Sequence, residues 1–117
     1  MRNFKDLKIW QKGFDIAINC FKLTEDFPSE QKFALTSQIN RSGVSIPSNI
    51  AEGSSRSSEK DYNRFLEISL DSCFELETQL LISQAIKYGD DTVRNKILAN
   101  IDEEEKMIMS FMNKLNK

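Results

Sequence analysis

A chain of 117 residues, 39% of them hydrophobic and 29% charged, holds material for one core and is expected to form one domain over residues 1–117, with no apolar run long enough to cross a membrane. It contains no histidine, which removes Ser-His-Asp triads, Cys-His nucleophilic pairs, nearly all zinc enzyme sites and the Glu-x-x-His ligands of two-metal bundles. The net charge of −2 is uneven: residues 1–64 carry ten Lys or Arg against eight Asp or Glu, and residues 65–117 carry six against ten.

The opening Met1-Arg2-Asn3-Phe4-Lys5-Asp6 has neither an apolar stretch nor a cleavage site, so export is not expected and a cytoplasmic location is. From about residue 6 to 25, Leu7, Trp10, Phe14, Ala17 and Phe21 recur at helical spacing, and Ile9, Ile16 and Leu23 widen the stripe, which predicts an amphipathic first helix. Phe27-Pro28 ends it. Ser29 is the expected N-cap of a second helix reaching about residue 52, because its side-chain oxygen accepts an orphan backbone N–H, and Gly53 is expected to close that helix in the left-handed conformation.

Inside this second helix, Leu35, Ile39, Gly43, Ile46 and Ile50 draw one stripe, while most positions between them are small and polar. Pro47 interrupts the run at a cost of roughly 3 kcal/mol, so some contact must offset it.

After a short turn, Ser58 followed by Asp61 gives a start resembling a capping box for the longest helix. Tyr62, Leu66, Ser69, Cys73, Leu76 and Leu80 mark its stripe, with Phe65, Leu70, Phe74 and Leu81 alongside, and Tyr88-Gly89 ends it. Asp90 or Asp91 caps a fourth helix carrying Val93, Ile97, Ile101, Ile108, Phe111 or Met112, and Leu115. Short turns make successive helices antiparallel, so the predicted fold is all-α, an antiparallel up-down-up-down four-helix bundle. The large residues on the first and third helices are more than one seam needs. Either they serve one bulky core, or part of that surface buries against another subunit.

Cys20 and Cys73 stand outside any C-x-x-C spacing and are expected to be buried, reduced thiols. The run Asp102-Glu103-Glu104-Glu105 reads as a solvated face of the last helix, with contact to a basic partner or neighbouring copy as the alternative. Glu75 and Glu77 point about 200° apart on a helix and cannot share an ion. Gly53-Ser54-Ser55-Arg56 lacks the later glycine and the lysine of a P-loop. No metal, cofactor or catalytic residue is predicted, and enzyme activity is not expected.

Leu35-Thr36-Ser37-Gln38-Ile39, Arg41-Ser42, Ser45-Ile46-Pro47 and Asn49-Ile50-Ala51-Glu52-Gly53 together resemble the signature of a bacterial four-helix bundle family. This is the family of proteins encoded in intervening sequences of large-subunit ribosomal RNA genes, related to the accessory variability protein of diversity-generating retroelements. Phe4-Lys5-Asp6-Leu7, Ile9-Trp10-Gln11-Lys12, Phe65-Leu66 and Glu75-Leu76-Glu77-Thr78-Gln79-Leu80 extend the likeness over about residues 4–88, and the fourth helix matches in character only. The resemblance implies association into a ring, typically a homopentamer, with no catalytic activity. For the retroelement relative it implies binding to a reverse transcriptase and to nucleic acid through basic residues.

Arg41 lies off the apolar stripe, and Glu52, about three turns further, shares its face. With Arg56 they are expected to form a charged cluster at one end of the bundle, with Arg41 and Glu52 in salt bridges within or between subunits. In the alternative, Arg41, Arg56, Lys60 and Arg64 contact phosphates, which arginine grips through paired hydrogen bonds. Ser37, Gln38, Ser45 and Asn49 are candidates for close helix approach or hydrogen bonding across an interface, and Pro47 for bending the helix to fit it. Two functions follow: an oligomeric scaffold or adaptor, or a binding module for structured RNA, accessory to a reverse transcriptase.

Overall fold

The computed structural model describes residues 3–116; Met1, Arg2 and Lys117 lie outside the described residues, so the reading of the first two as part of a non-exported start is not addressed by it. Four helices follow one another: α1 (Lys8–Thr24), α2 (Leu35–Ser54), α3 (Glu59–Ala85) and α4 (Asp91–Leu115), with 3-10 turns at Phe4–Asp6 and Ser29–Gln31. Each packs on two neighbours in the closed order α1, α2, α3, α4, α1, and the backbones of the diagonal pairs stay apart. This is the predicted four-helix bundle, an elongated body of 45 × 23 × 20 Å whose long axis is set by α3.

Ile9, Ile16, Cys20 and Leu23 from α1 meet Ile39, Ile46 and Ile50 from α2, Leu66, Cys73 and Leu76 from α3, and Ile97, Ile101 and Ile108 from α4. The inward face of α1 is therefore the aliphatic one. Phe14 and Phe21, predicted on the main stripe, are 39% and 49% exposed. Two adjacent apolar stripes run about 100° apart along this helix, and a four-helix core has room for one.

Ser29 does not cap α2. It sits in the 3-10 turn after Pro28, with its hydroxyl donating to Glu30 Oε1 at 3.2 Å, and α2 begins only after Ala34, whose φ of −123° and ψ of −110° are not helical. Phe33 is 91% exposed, so this stretch buries too little to stabilise a helical turn, whereas Leu35 and Ile39 pack inward.

Gly53 is not left-handed either, because positive φ occurs at Lys87 (63°) and Gly89 (89°) among the described residues. It lies within α2, where a Cβ would meet Phe65 Cβ at 2.8 Å and Tyr62 Cδ1 at 2.9 Å. Its lack of a side chain lets α2 and α3 close at their shared end. The other caps form as expected: the Ser58 side chain accepts from the Asp61 N–H at 3.1 Å, and the Asp90 side chain from the Val93 N–H at 2.9 Å. Both cysteines are free and buried.

The acidic run divides in two. Asp102 and Glu103 are exposed and pair with Lys106 (3.2 Å) and Lys12 (2.7 Å), but Glu104 and Glu105 are buried. Four consecutive helical residues spread over about 300°, so they cannot share a solvated face, and Glu104 falls on the Ile97, Ile101, Ile108 stripe.

Candidate functional site

Three faces of α2 do different work. Inward, Ile39, Ile46 and Ile50 are wholly buried. Toward α3, the small polar residues knit a seam: Ser42 Oγ donates to Glu75 Oε1 at 2.8 Å, the Ser45 and Ser72 hydroxyls bond at 2.8 Å, and Ser69 Oγ donates to the Ile46 carbonyl at 2.9 Å. Asn49 Nδ2 donates to the Ser45 carbonyl (2.8 Å) and hydroxyl (2.9 Å). Ser45 and Asn49 thus spend their hydrogen bonds inside the chain, and a small hydroxyl permits both a close helix approach and a satisfied polar group.

Toward α1, Val44, Pro47 and Ala51 form one wall of an open apolar groove whose other wall is Trp10, Phe14 and Phe21. Pro47 is buried at its base within an unbroken α2. Its missing N–H deprives the carbonyl of Gly43 of the intrahelical donor, and the residue facing the proline ring one turn back is the one with no side chain. Trp10 is held edge-on between Phe4 and Phe14, with both ring centroids at 5.3 Å. Asn40 Nδ2 donating to Thr24 Oγ1 at 3.2 Å ties the two helices where the groove ends.

The predicted charged cluster forms only in part. Arg56 approaches Glu52 at 3.8 Å with both side chains open to water, and its guanidinium lies 4.6 Å from the Phe65 ring centroid. Arg41 makes no ion pair among the described residues. About 16 Å of helix rise separates it from Glu52, so three turns on one face is a shared side without being a shared end. Ser37 and Gln38 are exposed on the first turn of α2. Lys60 and Arg64 border a shallow depression with Glu59, Glu67 and Leu115, where acid and base alternate.

Sequence reasoning missed Ile18 and Val44 as groove residues and left Phe14 and Phe21 open between one bulky core and a surface facing another subunit; they stand outside the core. The signal was present in the excess of large residues on α1, which one core could not absorb. Among the described residues, no group of three or more His, Cys, Asp or Glu is spaced to hold a metal ion, and no helix is long and apolar enough to cross a membrane.

The family model of the 23S rRNA-intervening sequence proteins matches residues 5–110. This chain belongs to that family. The match takes in α1, α2, α3 and most of α4, so it extends past the likeness carried by the motifs, and the groove and the polar seam both lie inside the region that defines the 23S rRNA-intervening sequence family. Among solved structures, the chain is similar to a protein of unknown function from the S23 ribosomal protein family of Bacteroides thetaiotaomicron. Identity is 28%, the TM-score is 0.81, and the match covers 89% of this chain and 97% of that one. No curated protein matches significantly.

Proposed function

We propose that this protein is a non-enzymatic scaffold that works as a ring of identical copies, each seated through the α1–α2 groove on its neighbour. The observation that carries the reading is the run of large apolar side chains left in water along that groove: Phe14 at 39%, Ile18 at 44%, Phe21 at 49% and Val44 at 41% exposure. A contiguous apolar patch of this kind marks a binding surface, because covering it removes hydrocarbon from water. The surface we assign to it in a second copy is a different one. Phe74 and Leu81 project from α3 on the side turned away from α2, and are 49% and 48% exposed. Contact between two unlike faces is head-to-tail, and such contacts form a ring when the rotation from copy to copy closes. Five copies is the number that the family resemblance implies.

The test is the mass in solution. Light scattering coupled to gel filtration should give a multiple of 13.5 kDa for the wild type, and the monomer mass for a Phe14→Glu, Phe21→Glu variant that keeps its helical circular dichroism. A monomeric wild type at micromolar concentration removes the proposal.

A second reading, binding of structured RNA through phosphate contacts, is favoured by one observation: Arg41, Lys60 and Arg64 form no ion pair among the described residues. It ranks second because Glu59 and Glu67 are interspersed with two of them. Under this reading, affinity for RNA falls steeply with salt as counterions are released, and Arg41→Ala with Arg64→Ala weakens it while the oligomer persists. Undetectable binding at low salt leaves the scaffold alone.

A further inference from the structure

The buried half of the acidic run is placed as a charged group would not be. Glu104 of α4 is 0% exposed, and neither of its carboxyl oxygens has a hydrogen-bond partner among the described residues. Its Oε2 lies 3.0 Å from where a Cβ on Gly13 would stand, so the absence of a side chain at that point of α1 is what makes room for the carboxyl. Around the same point α2 contributes the Ile46 side chain at 3.1 Å and the backbone nitrogen of Pro47 at 3.4 Å. The cation that acts on Glu104 is Lys12 of α1, and its Nζ is already held by Glu103 Oε2 at 2.7 Å.

One residue on, Glu105 lies shallower, near the rim, with a buried Oε2 that also lacks a partner. Glu77 of α3 and Asp102 oppose its ionisation, and Lys106 relieves some of that. Cys73 of α3 is buried, and Glu104, Glu105 and Glu77 add to what burial does in raising its thiol. A lone carboxylate with no donor in an apolar interior is far costlier than the neutral acid.

We infer that Glu104 and Glu105 hold α4 in the bundle as protonated acids, so that α4 loosens as the pH rises through neutrality. The inference rests on the core of one chain and not on the docking reading. Burial pushes Glu104 up to about 8 and, together with the neighbouring Glu77 carboxyl, Glu105 up to about 7, from an ordinary value of 4.5. Since the folded state holds these protons more tightly than the unfolded chain, their contribution is fully present below about 4.5. It declines as the pH climbs and is lost once Glu105 and then Glu104 have ionised.

Urea unfolding at one fixed protein concentration, across about pH 5 to about pH 9, tests this on the full chain, with Glu104→Gln as the variant. Relative to Glu104→Gln, the wild-type unfolding constant should rise by up to about tenfold per pH unit over the window in which Glu104 alone is protonated in the folded state. The amides of α4 should lose exchange protection ahead of those of α2. Wild-type and Glu104→Gln profiles that run parallel overturn the inference. A second readout needs no variant: the side-chain carbon resonance of Glu104 should titrate well above the ordinary carboxylate range, and a midpoint near 4.5 overturns the inference equally.

Discussion

Gly53 is the position where one methyl group matters most. A Cβ at this point of α2 would stand 2.8 Å from Phe65 Cβ and 2.9 Å from a ring atom of Tyr62, and a Cβ is fixed to its backbone, so relief requires the helices themselves to part. Gly53→Ala should destabilise the bundle by about 1–3 kcal/mol in urea unfolding with an unchanged slope, despite alanine's better helix propensity. A gain in stability would mean that α2 and α3 are not in close contact there. Burial also pushes the Cys20 thiol up to about 12, and burial with nearby carboxylates raises Cys73, so neither should react with a thiol reagent until the chain unfolds. At this scale the sequence is informative about the buried cysteines and the caps at Ser58 and Asp90, and misleading about Ser29 and Gly53. It is silent on Glu104, because four consecutive acids look alike until the isoleucines at 97, 101 and 108 are seen to continue through one of them.

At the scale of the helices, all four are legible from their periodicity, and the differences lie at ends and faces. The beginning of α2 falls later than expected because a serine after a proline looks like a cap, although no apolar stripe follows it until Leu35. The face of α1 is turned from the expected one because aromatic size suggests burial, whereas the narrower β-branched residues Ile9 and Ile16 fill the core. The polar residues of α2 stand out as unusual, yet pairs such as Ser42 with Glu75 cannot be read from a linear sequence. The turn between α3 and α4 rests on a residue that no sequence pattern marks. Arg94 is 1% exposed and donates through Nη1 to the Tyr88 carbonyl at 3.1 Å, and through Nη2 to the Gly89 carbonyl at 3.3 Å and Asp91 Oδ1 at 2.9 Å. Arg94→Met keeps the apolar stem but leaves the turn carbonyls unpaired. Thermal unfolding should report a loss of about 1–3 kcal/mol, and an unaltered midpoint would show that water replaces the guanidinium without cost.

For the whole molecule, the bundle architecture follows from four amphipathic helices and short turns, and the family match agrees with it. The proposed function is less legible because it calls on residues outside the core. A core announces itself by period, but a docking surface differs from surplus hydrophobicity only once the core is known to be full. The groove on α1 and α2 is that surplus, with Trp10 and Pro47 at its base and Phe14, Ile18, Phe21 and Val44 open to water. Burying such a side chain completely is worth about 1.5–3 kcal/mol, and at 39–49% exposure less than half of that remains to be gained at each, so the opposing face must contribute a comparable share.

The most direct measurement is the absolute mass of the wild type beside that of the Phe14→Glu, Phe21→Glu variant across a range of concentrations. The account predicts a closed multiple of the 13.5 kDa chain that collapses to the monomer when the two rings are replaced. A wild type that is monomeric throughout, or a variant that retains the full assembly, contradicts it.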